Sequence, residues 1–431
     1  MELFAARRRR LLERIDGVAV LAATPVALRN NDVEHDYRAD SDLVYFTGFE
    51  EPDAVLVLST THPEHQAVMF VRPRDAEREL WDGARVGVDG VVEAYGVDAA
   101  YPIGELKKRL PGYFTGASQL YFELGKQPPL DDTVLAAIKE ARGKGRAPTL
   151  WPQTIHHPEL VWHELRVTKD DEEITSLRRA IDITAEAHAA VMAKATPGIW
   201  EYQIEAELSA VFRRNGSPRC AYATIVGSGA NATVLHYHAN DRQVQPGELV
   251  LVDAGCELNY SAADVTRTFP VDGTFSTPQR KIYEVVLDAQ LAAIDEARPG
   301  STIERIHEQC LHRLVDGMVS LGLLEGERDE LIASEAHRRY YMHRTSHWLG
   351  MDVHDVGAYF VGGESRKLGP GMVLTIEPGI YVAADDEQAP AELRGIGVRI
   401  EDDMLVTTDG AEVLSAAIPK TIAEVERACR G

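Results

Sequence analysis

An internal repeat after residue 170 constrains the fold of this chain more than any other feature. One helical stretch ends at ATPG, from Ala195 to Gly198, and another ends at ARPG, from Ala297 to Gly300. A second helical stretch follows each of them, beginning IWEYQIEAEL and STIERIHEQC. The repeat therefore predicts two similar halves, each containing a pair of helices.

Apolar strand segments repeat in the same way. PGELVLVDAG matches PGMVLTIEPG, so that Asp253 falls opposite Glu377 and Gly255 falls opposite Gly379. The two segments are otherwise rich in branched apolar residues, as buried strands are. Each half therefore places one acidic residue at the end of a buried strand.

A second pair of acidic residues follows the same repeat. Asp264 in DVTRTFPVDG and Glu401 in EDDMLVTTDG lie equally far before a glycine, Gly273 and Gly410 respectively. A lone Asp or Glu is ordinarily a solvated or salt-bridged surface residue. Four acids at equivalent places in duplicated apolar strands are different, because an unpaired buried carboxylate destabilises a fold.

Four facing carboxylates require cations. Each desolvated charge costs several kcal/mol, and like charges repel. Two divalent ions would balance the four charges, and two metals roughly 3.5–4 Å apart can share an activated hydroxide. Oxygen-rich ligation with one imidazole favours manganese, magnesium or cobalt over a structural zinc.

One further segment, HRTSHWLGMDVHD, offers the expected histidine ligand. It contains His343, His347 and His354. The first two have the spacing of a helical zinc pair, but the glutamate of HExxH is missing. Spacing alone does not choose among the three.

These residues resemble the pita-bread metallopeptidases, the family of methionine aminopeptidase, prolidase and Xaa-Pro aminopeptidase. The resemblance covers essentially the whole chain, and the family's ligands follow the order Asp, Asp, His, Glu, Glu. It implies that Asp253 binds one metal, that His347 and Glu377 bind the other, and that Asp264 and Glu401 bridge both. It also implies two divalent ions, with Mn(II) expected and Co(II) or Zn(II) as alternatives.

The resemblance further implies catalytic roles for Glu377 and three histidines. Glu377 would accept a proton from the water that bridges the metals and would pass it to the leaving nitrogen. His354 would donate to the developing oxyanion, and His236 in VLHYHAN would assist proton transfer. His343 would line the pocket of the leaving proline.

Three more residues of the second part are candidates for support or substrate contact. Arg399 lies two residues before Glu401, so both side chains share one face of a strand, and its guanidinium could hold a metal-binding carboxylate. Tyr381 resembles the tyrosine of the same network. Arg394 is a candidate for binding a substrate carboxylate. Packed strand residues are the alternative interpretation for the first two.

The first part of the chain reads as an α/β domain. A helix is predicted from Arg7 to Ile15, with the Arg7 to Arg10 run as its solvated face, and strands are predicted at VAVLAA, AVLVLST, HQAVMFV and SQLYFEL. A Gly- and Pro-rich stretch from Ala141 to Arg166 precedes a helix beginning at TKDDEE. The predicted domains are therefore 1–168 and 169–431.

The segment SDLVYFTGFEEPDAVLVL resembles the amino-terminal domain of Xaa-Pro aminopeptidases, the creatinase N-terminal type. That resemblance implies a ribonuclease-H-like α/β fold that assists oligomerisation and substrate access, beside an α+β pita-bread catalytic domain. Trp81 and Asp32 resemble residues that reach a neighbouring subunit's site. A homo-oligomer, either a dimer or a tetramer, is expected.

Composition excludes several classes of partner. Lys plus Arg total 45 against 68 for Asp plus Glu, a net charge of −23, which repels phosphate backbones and anionic membranes. The four cysteines form no CxxC pair, which argues against a disulfide framework or a thiolate zinc site. With no signal peptide or membrane span in the pattern, a cytoplasmic protein is expected.

The function predicted from this resemblance is hydrolysis of the Xaa-Pro bond at the amino terminus of peptides, by a metallo-aminopeptidase. Nothing in the sequence shows proline specificity directly. The nearest alternative is a prolidase, which cuts only the Xaa-Pro dipeptide. An alternative from another class is a non-catalytic pita-bread binding protein, whose sign would be loss of metal ligands.

Overall fold

The computed structural model describes residues 1–143 and 150–430. Contacts divide the chain into two compact units, Met1–Leu165 and Arg166–Gly431. The sequence prediction placed this division after residue 168. Residues 144–149 of the predicted linker lie outside the described residues.

The first unit is built on a six-stranded mixed sheet. Its helices are α1 (Glu2–Leu12), α2 (Ser41–Thr47), α3 (Ala76–Asp82), α4 (Gly87–Tyr95), α5 (Leu106–Phe114) and α6 (Pro128–Arg142), and α7 (Trp162–Val167) spans the division between units. Its strands are β1 (Val18–Ala22), β2 (Leu28–Asn30), β3 (Val33–Glu34), β4 (Val55–Ser59), β5 (Ala67–Val71), β6 (Ala99–Pro102), β7 (Gln119–Tyr121) and β8 (Thr154–His156).

Strand order and direction define the fold of this sheet. The order is β6-β5-β4-β1-β7-β8, with β1 antiparallel to β4 and parallel to β7. Strands β4 and β5 are buried along their whole length, as expected for apolar runs covered on both faces. The predicted ribonuclease-H-like fold is confirmed, and the four predicted strands correspond to β1, β4, β5 and β7.

The first helix differs from its prediction. It begins at Glu2 and ends at Leu12, and two arginines of its basic run, Arg7 and Arg8, are buried. Their guanidinium groups donate to the carbonyl oxygens of Tyr45 and Phe46 at 3.2 and 2.8 Å. The interpretation of this run as a solvated face is therefore wrong for these two residues.

The second unit combines short antiparallel sheets with helices. Its helices are α8 (Asp171–Lys194), α9 (Glu201–Arg214), α10 (Thr277–Glu296), α11 (Ile303–Ser320), α12 (Arg328–Ala333) and α13 (Ile422–Ala428). Its strands are β9 (Arg219–Cys220), β10 (Ile225–Ser228), β11 (Leu249–Asp253), β12 (Cys256–Leu258), β13 (Ser261–Ala262), β14 (Thr266–Pro270), β15 (Phe360–Val361), β16 (Glu364–Ser365), β17 (Val373–Ile376), β18 (Gly379–Val382), β19 (Ile396–Arg399), β20 (Asp402–Val406) and β21 (Ala411–Val413).

The two predicted helix pairs are present. In the first half α8 packs on α9, and in the second half α10 packs on α11. A capping box begins α8. The Asp170 side chain accepts from the Glu173 backbone N–H at 3.0 Å, and the Glu173 side chain accepts from the Asp170 backbone N–H. One continuous apolar core joins these helices to the strands. The pita-bread fold with its internal repeat is therefore confirmed.

The glycines that follow the repeated strands have a steric role. A Cβ at Gly255 would overlap the carbonyl oxygen of Ala263, and a Cβ at Gly379 would lie 2.9 Å from the carbonyl oxygen of Val398. Both positions therefore need glycine for close backbone approach rather than for a positive φ.

No helix within the two described stretches of the chain combines the length and apolar character needed to cross a membrane.

Candidate metal centre

Strand ends bring the four repeated carboxylates to one place. Asp253 is the last residue of β11, and Glu377 directly follows β17. Asp264 precedes β14 and Glu401 directly precedes β20. Because β11 is antiparallel to β14, and β17 to β20, the end of one strand lies beside the beginning of its partner.

Hydrogen bonds from backbone N–H groups join the halves at this edge. The Glu401 N–H donates to the Thr266 carbonyl at 3.1 Å, and the Asp264 N–H donates to the Asp403 carboxylate at 3.1 Å. One acid of each half is therefore fixed against the other half. The repeat predicted this meeting of the two halves.

The segment that contains His347 runs antiparallel along β17. Thr375 N–H donates to the His347 carbonyl at 3.0 Å, and Glu377 N–H donates to the Thr345 carbonyl at 2.9 Å. The imidazole Nε2 then lies 3.3 Å from Asp264 Oδ2 and 3.4 Å from Glu377 Oε1. His347 Nδ1 lies 3.0 Å from the Trp348 carbonyl oxygen, a contact that orients the ring.

Three of the five predicted ligands form the tightest group. One ligand atom from each of Asp264, His347 and Glu401 lies within 4.8 Å of the others. The oxygens of Asp253 instead accept from Tyr222 OH at 2.6 Å and from Arg399 Nη2 at 2.5 Å. Such a set of buried carboxylates and one imidazole fits divalent cations.

Burial raises the pKa values of the clustered acids. The pKa of Glu377 rises to about 7, although His347 and Arg399 oppose the rise. Burial, together with the charge of Asp264, places the pKa of Glu401 well above its ordinary value. For Asp264, burial raises the pKa while the hydrogen bond from His347 opposes it. Unaided, the protein disfavours the charged forms of these three acids, and bound cations would favour them.

His347 shows the complementary shift. Burial lowers its pKa, but the hydrogen bond to Asp264 and the charge of Glu377 outweigh burial and raise it to about 9. A metal ion bound at this place would supply the positive charge that these acids otherwise favour on the imidazole.

Arg399 connects the cluster to its surroundings. Besides Asp253, its guanidinium donates to Thr266 Oγ1 at 3.0 Å and to Tyr381 OH at 3.1 Å. Thr266 in turn donates to Glu401 Oε2 at 2.7 Å. The predicted supporting residues Arg399 and Tyr381 therefore contact the carboxylate cluster or one another.

Sequence reasoning missed Tyr222, Thr266 and Asp403. Thr266 lies two residues after Asp264 in a strand segment, so its position on the same face was a usable signal. Tyr222 reaches Asp253 from a different segment, and no spacing pattern predicts that contact. Asp403 is buried, and burial and Asp264 raise its pKa well above its ordinary value.

The predicted catalytic histidines lie at different depths. His343 Nε2 lies 2.9 Å from Tyr381 OH, and its Nδ1 lies 3.8 Å from Glu377 Oε2. The His354 ring stands perpendicular to the His347 ring, with centroids 4.4 Å apart. His354 and His236 are exposed.

A buried ion cluster holds the loop of His354. The adjacent residue, Asp355, accepts from Arg166 Nη2 at 2.5 Å and from Lys169 Nζ at 2.6 Å. Its backbone N–H donates to the Trp348 carbonyl at 2.9 Å. These contacts hold the loop beside the histidine segment, and the His354 side chain is exposed.

The remaining predicted residues lie apart from this cluster or in the other unit. Arg394 donates to the backbone carbonyls of Ala389 and Glu387 at 3.0 and 2.9 Å. Trp81, on α3, is 83% exposed, and Asp32 is exposed in the turn between β2 and β3. Their suggested substrate contacts stay predictions.

Comparisons with known proteins agree with this architecture. The sequence profile of metallopeptidase family M24 matches residues 175–408, and that of the aminopeptidase P N-terminal domain matches residues 4–121. An Xaa-Pro aminopeptidase of Escherichia coli K12 is 44% identical over 98% of this chain and 96% of its own length.

Solved structures are equally similar. An aminopeptidase of Pseudomonas aeruginosa has a TM-score of 0.95 and 47% identity, covering 99% of this chain and 97% of its own. Zinc-substituted aminopeptidase P of Escherichia coli, in complex with product, has a TM-score of 0.95 and 44% identity, covering 99% and 98%. This chain therefore belongs to metallopeptidase family M24, with an amino-terminal domain of the aminopeptidase P type.

Proposed function

We propose that this chain is a metal-dependent aminopeptidase that hydrolyses the bond between an amino-terminal residue and a following proline. The observation that carries the proposal is the cluster of Asp264, His347 and Glu401, with Glu377 3.4 Å from His347 Nε2, in a chain that matches Xaa-Pro aminopeptidases over nearly its whole length. The complete ligand set argues against a non-catalytic binding protein. Full-length similarity to proteins of this name favours the aminopeptidase over a prolidase.

Five residues would hold two divalent ions: Asp253, Asp264, His347, Glu377 and Glu401. Bound ions lower the pKa of water, so that an attacking hydroxide forms at neutral pH, and they polarise the scissile carbonyl. Manganese is the proposed metal because the donors are mainly carboxylate oxygens, with cobalt or zinc as alternatives.

The protein's own groups would move the protons. Glu377 would accept the proton of the attacking water and deliver it to the proline nitrogen as the bond breaks. That delivery matters because a tertiary amide nitrogen has no hydrogen of its own and leaves only when protonated. His354 would donate to the carbonyl oxygen as negative charge develops there, and His236 would assist proton transfer.

Aromatic groups would form the proline pocket. The His343 ring meets the Tyr341 ring edge-on with centroids 4.8 Å apart, and its Nε2 lies 2.9 Å from Tyr381 OH. A pocket of rigid rings suits the compact, apolar pyrrolidine ring. Arg394 is proposed to bind a substrate carboxylate.

Assembly and location complete the proposal. We propose a homo-oligomer, a dimer or a tetramer, in which Trp81 and Asp32 approach a neighbouring subunit's site. A cytoplasmic location is proposed from the scattered cysteines, all four of which are free thiols.

Product analysis on three matched substrates tests the proposal. After metal loading, Xaa-Pro-Yaa should release Xaa, whereas Xaa-Ala-Yaa should be cleaved far more slowly. If only the dipeptide Xaa-Pro is cleaved, the enzyme is a prolidase and the proposal is wrong. Rapid cleavage of Xaa-Ala-Yaa would remove the proline preference.

A further inference from the structure

A buried carboxylate outside the metal centre holds the segment that contains His236. Glu201 is the first residue of α9, and its side chain is fully buried. Its carboxylate accepts five hydrogen bonds, all from residues between Ser228 and Arg242. The donors are Ser228 N–H (2.7 Å), Ser228 OH (2.7 Å), Asn231 Nδ2 (3.2 Å), Tyr237 OH (2.9 Å) and Arg242 N–H (2.9 Å).

The five donors divide between the two carboxylate oxygens. Oε1 accepts from both groups of Ser228 and from Asn231, and Oε2 accepts from Tyr237 and Arg242. A buried carboxylate requires such donors because it has lost its water. A glutamine at position 201 has only one accepting oxygen, and its NH2 group would face one of the two sets of donors.

The segment so held packs against the residues that surround the metal centre. Leu235 and Tyr237, on either side of His236, pack on a small apolar cluster that includes Tyr381. Tyr381 in turn lies within hydrogen-bond distance of His343 and Arg399. The His236 ring is exposed between these two anchored neighbours, where a peptide could meet it.

We infer that Glu201 is a positioning residue for His236: its carboxylate fixes both ends of the segment and Tyr237, and so sets where the imidazole stands. This inference rests on the proposed role of His236 in catalysis. Glu201 itself does not contact the reacting atoms. Small errors in the placement of a catalytic group lower rates strongly, so loss of this carboxylate should act mainly on turnover.

A double-mutant cycle separates positioning from a general structural role. Glu201→Gln should lower kcat by roughly 10-fold to 10²-fold, with KM and bound metal little changed. In the His236→Ala background, Glu201→Gln should cause no further loss, because the group it positions is absent. Glu207→Gln is the matched control on α9, where the carboxylate accepts from Lys194 Nζ at 2.7 Å, outside the Ser228–Arg242 segment, and it should retain kcat.

Tyr237→Phe provides a milder version of the same test. It removes one donor from Oε2 and keeps the packed ring, so it should lower kcat less than Glu201→Gln does. This loss too should vanish in the His236→Ala background. Additive losses in either cycle would overturn the inference and show Glu201 to be structural. If His236→Ala itself retains full kcat, the proposed role of His236 fails, and the inference fails with it.

Discussion

At the scale of single residues, the site combines groups that the protein alone cannot keep charged. Burial raises the pKa values of Asp264, Glu377 and Glu401, and the buried Arg399 guanidinium donates to Asp253 beside them. Divalent ions resolve this conflict, because each replaces protons on carboxylates with metal charge. Bound ions would therefore allow four acids to lie together where the repeated strands meet.

His354 offers the clearest test of a single residue's role. His354→Ala should lower kcat by on the order of 10²–10³, because one donor to the developing oxyanion is lost. Bound metal should not change, since the residue lies beside His347 rather than among the ligand atoms. Steady-state kinetics and metal analysis of the same preparation measure both quantities. His312→Ala, on α11, is the control, and an unchanged rate for the His354 variant would contradict the oxyanion role.

Single residues also mark the limit of sequence reasoning. The acids of the site could be found because a duplicated strand pattern placed them at equivalent positions. Tyr222, Glu201 and Asp403 could not, because their contacts join segments whose spacing carries no periodic signal. The buried Arg7 and Arg8 were misread because a basic helix face looks the same whether water or backbone carbonyls accept its hydrogen bonds.

At the scale of secondary structure elements, the repeat predicts more than propensity does. The helix pairs α8–α9 and α10–α11 followed directly from the ATPG and ARPG endings. The short strands β9, β12, β13, β15 and β16 had no such signal, because strands of two or three residues are set by tertiary pairing rather than by local pattern. The repeated glycines belong with the predictable features, since a close backbone contact admits no side chain.

Gly255→Ala tests this steric requirement between β11 and β12. The added methyl group would overlap the Ala263 carbonyl, so the variant should lose about 1–3 kcal/mol of stability or more. Gly410→Ala is the matched control, because a Cβ there has no neighbour within 4 Å. It should be neutral or slightly stabilising. Urea unfolding of the metal-free proteins measures the difference, and equal midpoints for the two variants would refute the steric account.

At the scale of the whole molecule, buried histidines make stability depend on pH. Burial lowers the pKa of His188, on α8, to about 4, from an ordinary value of 6.5. Between pH 4 and pH 6.5, His188 therefore carries a proton in the unfolded chain but not in the folded protein. The contribution of His188 to the free energy of unfolding should be fully present above pH 6.5. It should fall by about 3 kcal/mol as the pH drops towards 4.

Unfolding of the metal-free protein at several pH values measures this slope. His188→Gln should flatten it between pH 6.5 and 4 without abolishing it. Burial lowers the pKa of His307 to about 4 as well, so that residue should contribute in the same range. An identical slope in the variant and the unchanged protein would show that His188 is not the group responsible.

We expect the carboxylates of the two repeated halves to hold two metal ions that catalysis needs. The most direct measurement removes metal with a chelator and restores Mn(II) stepwise, following bound metal per chain and the release of Xaa from Xaa-Pro-Yaa. We expect two bound ions per chain, no activity without metal, and loss of both activity and at least one ion in Glu377→Ala. Full activity in the metal-free protein, or no ion bound at saturation, would contradict this expectation.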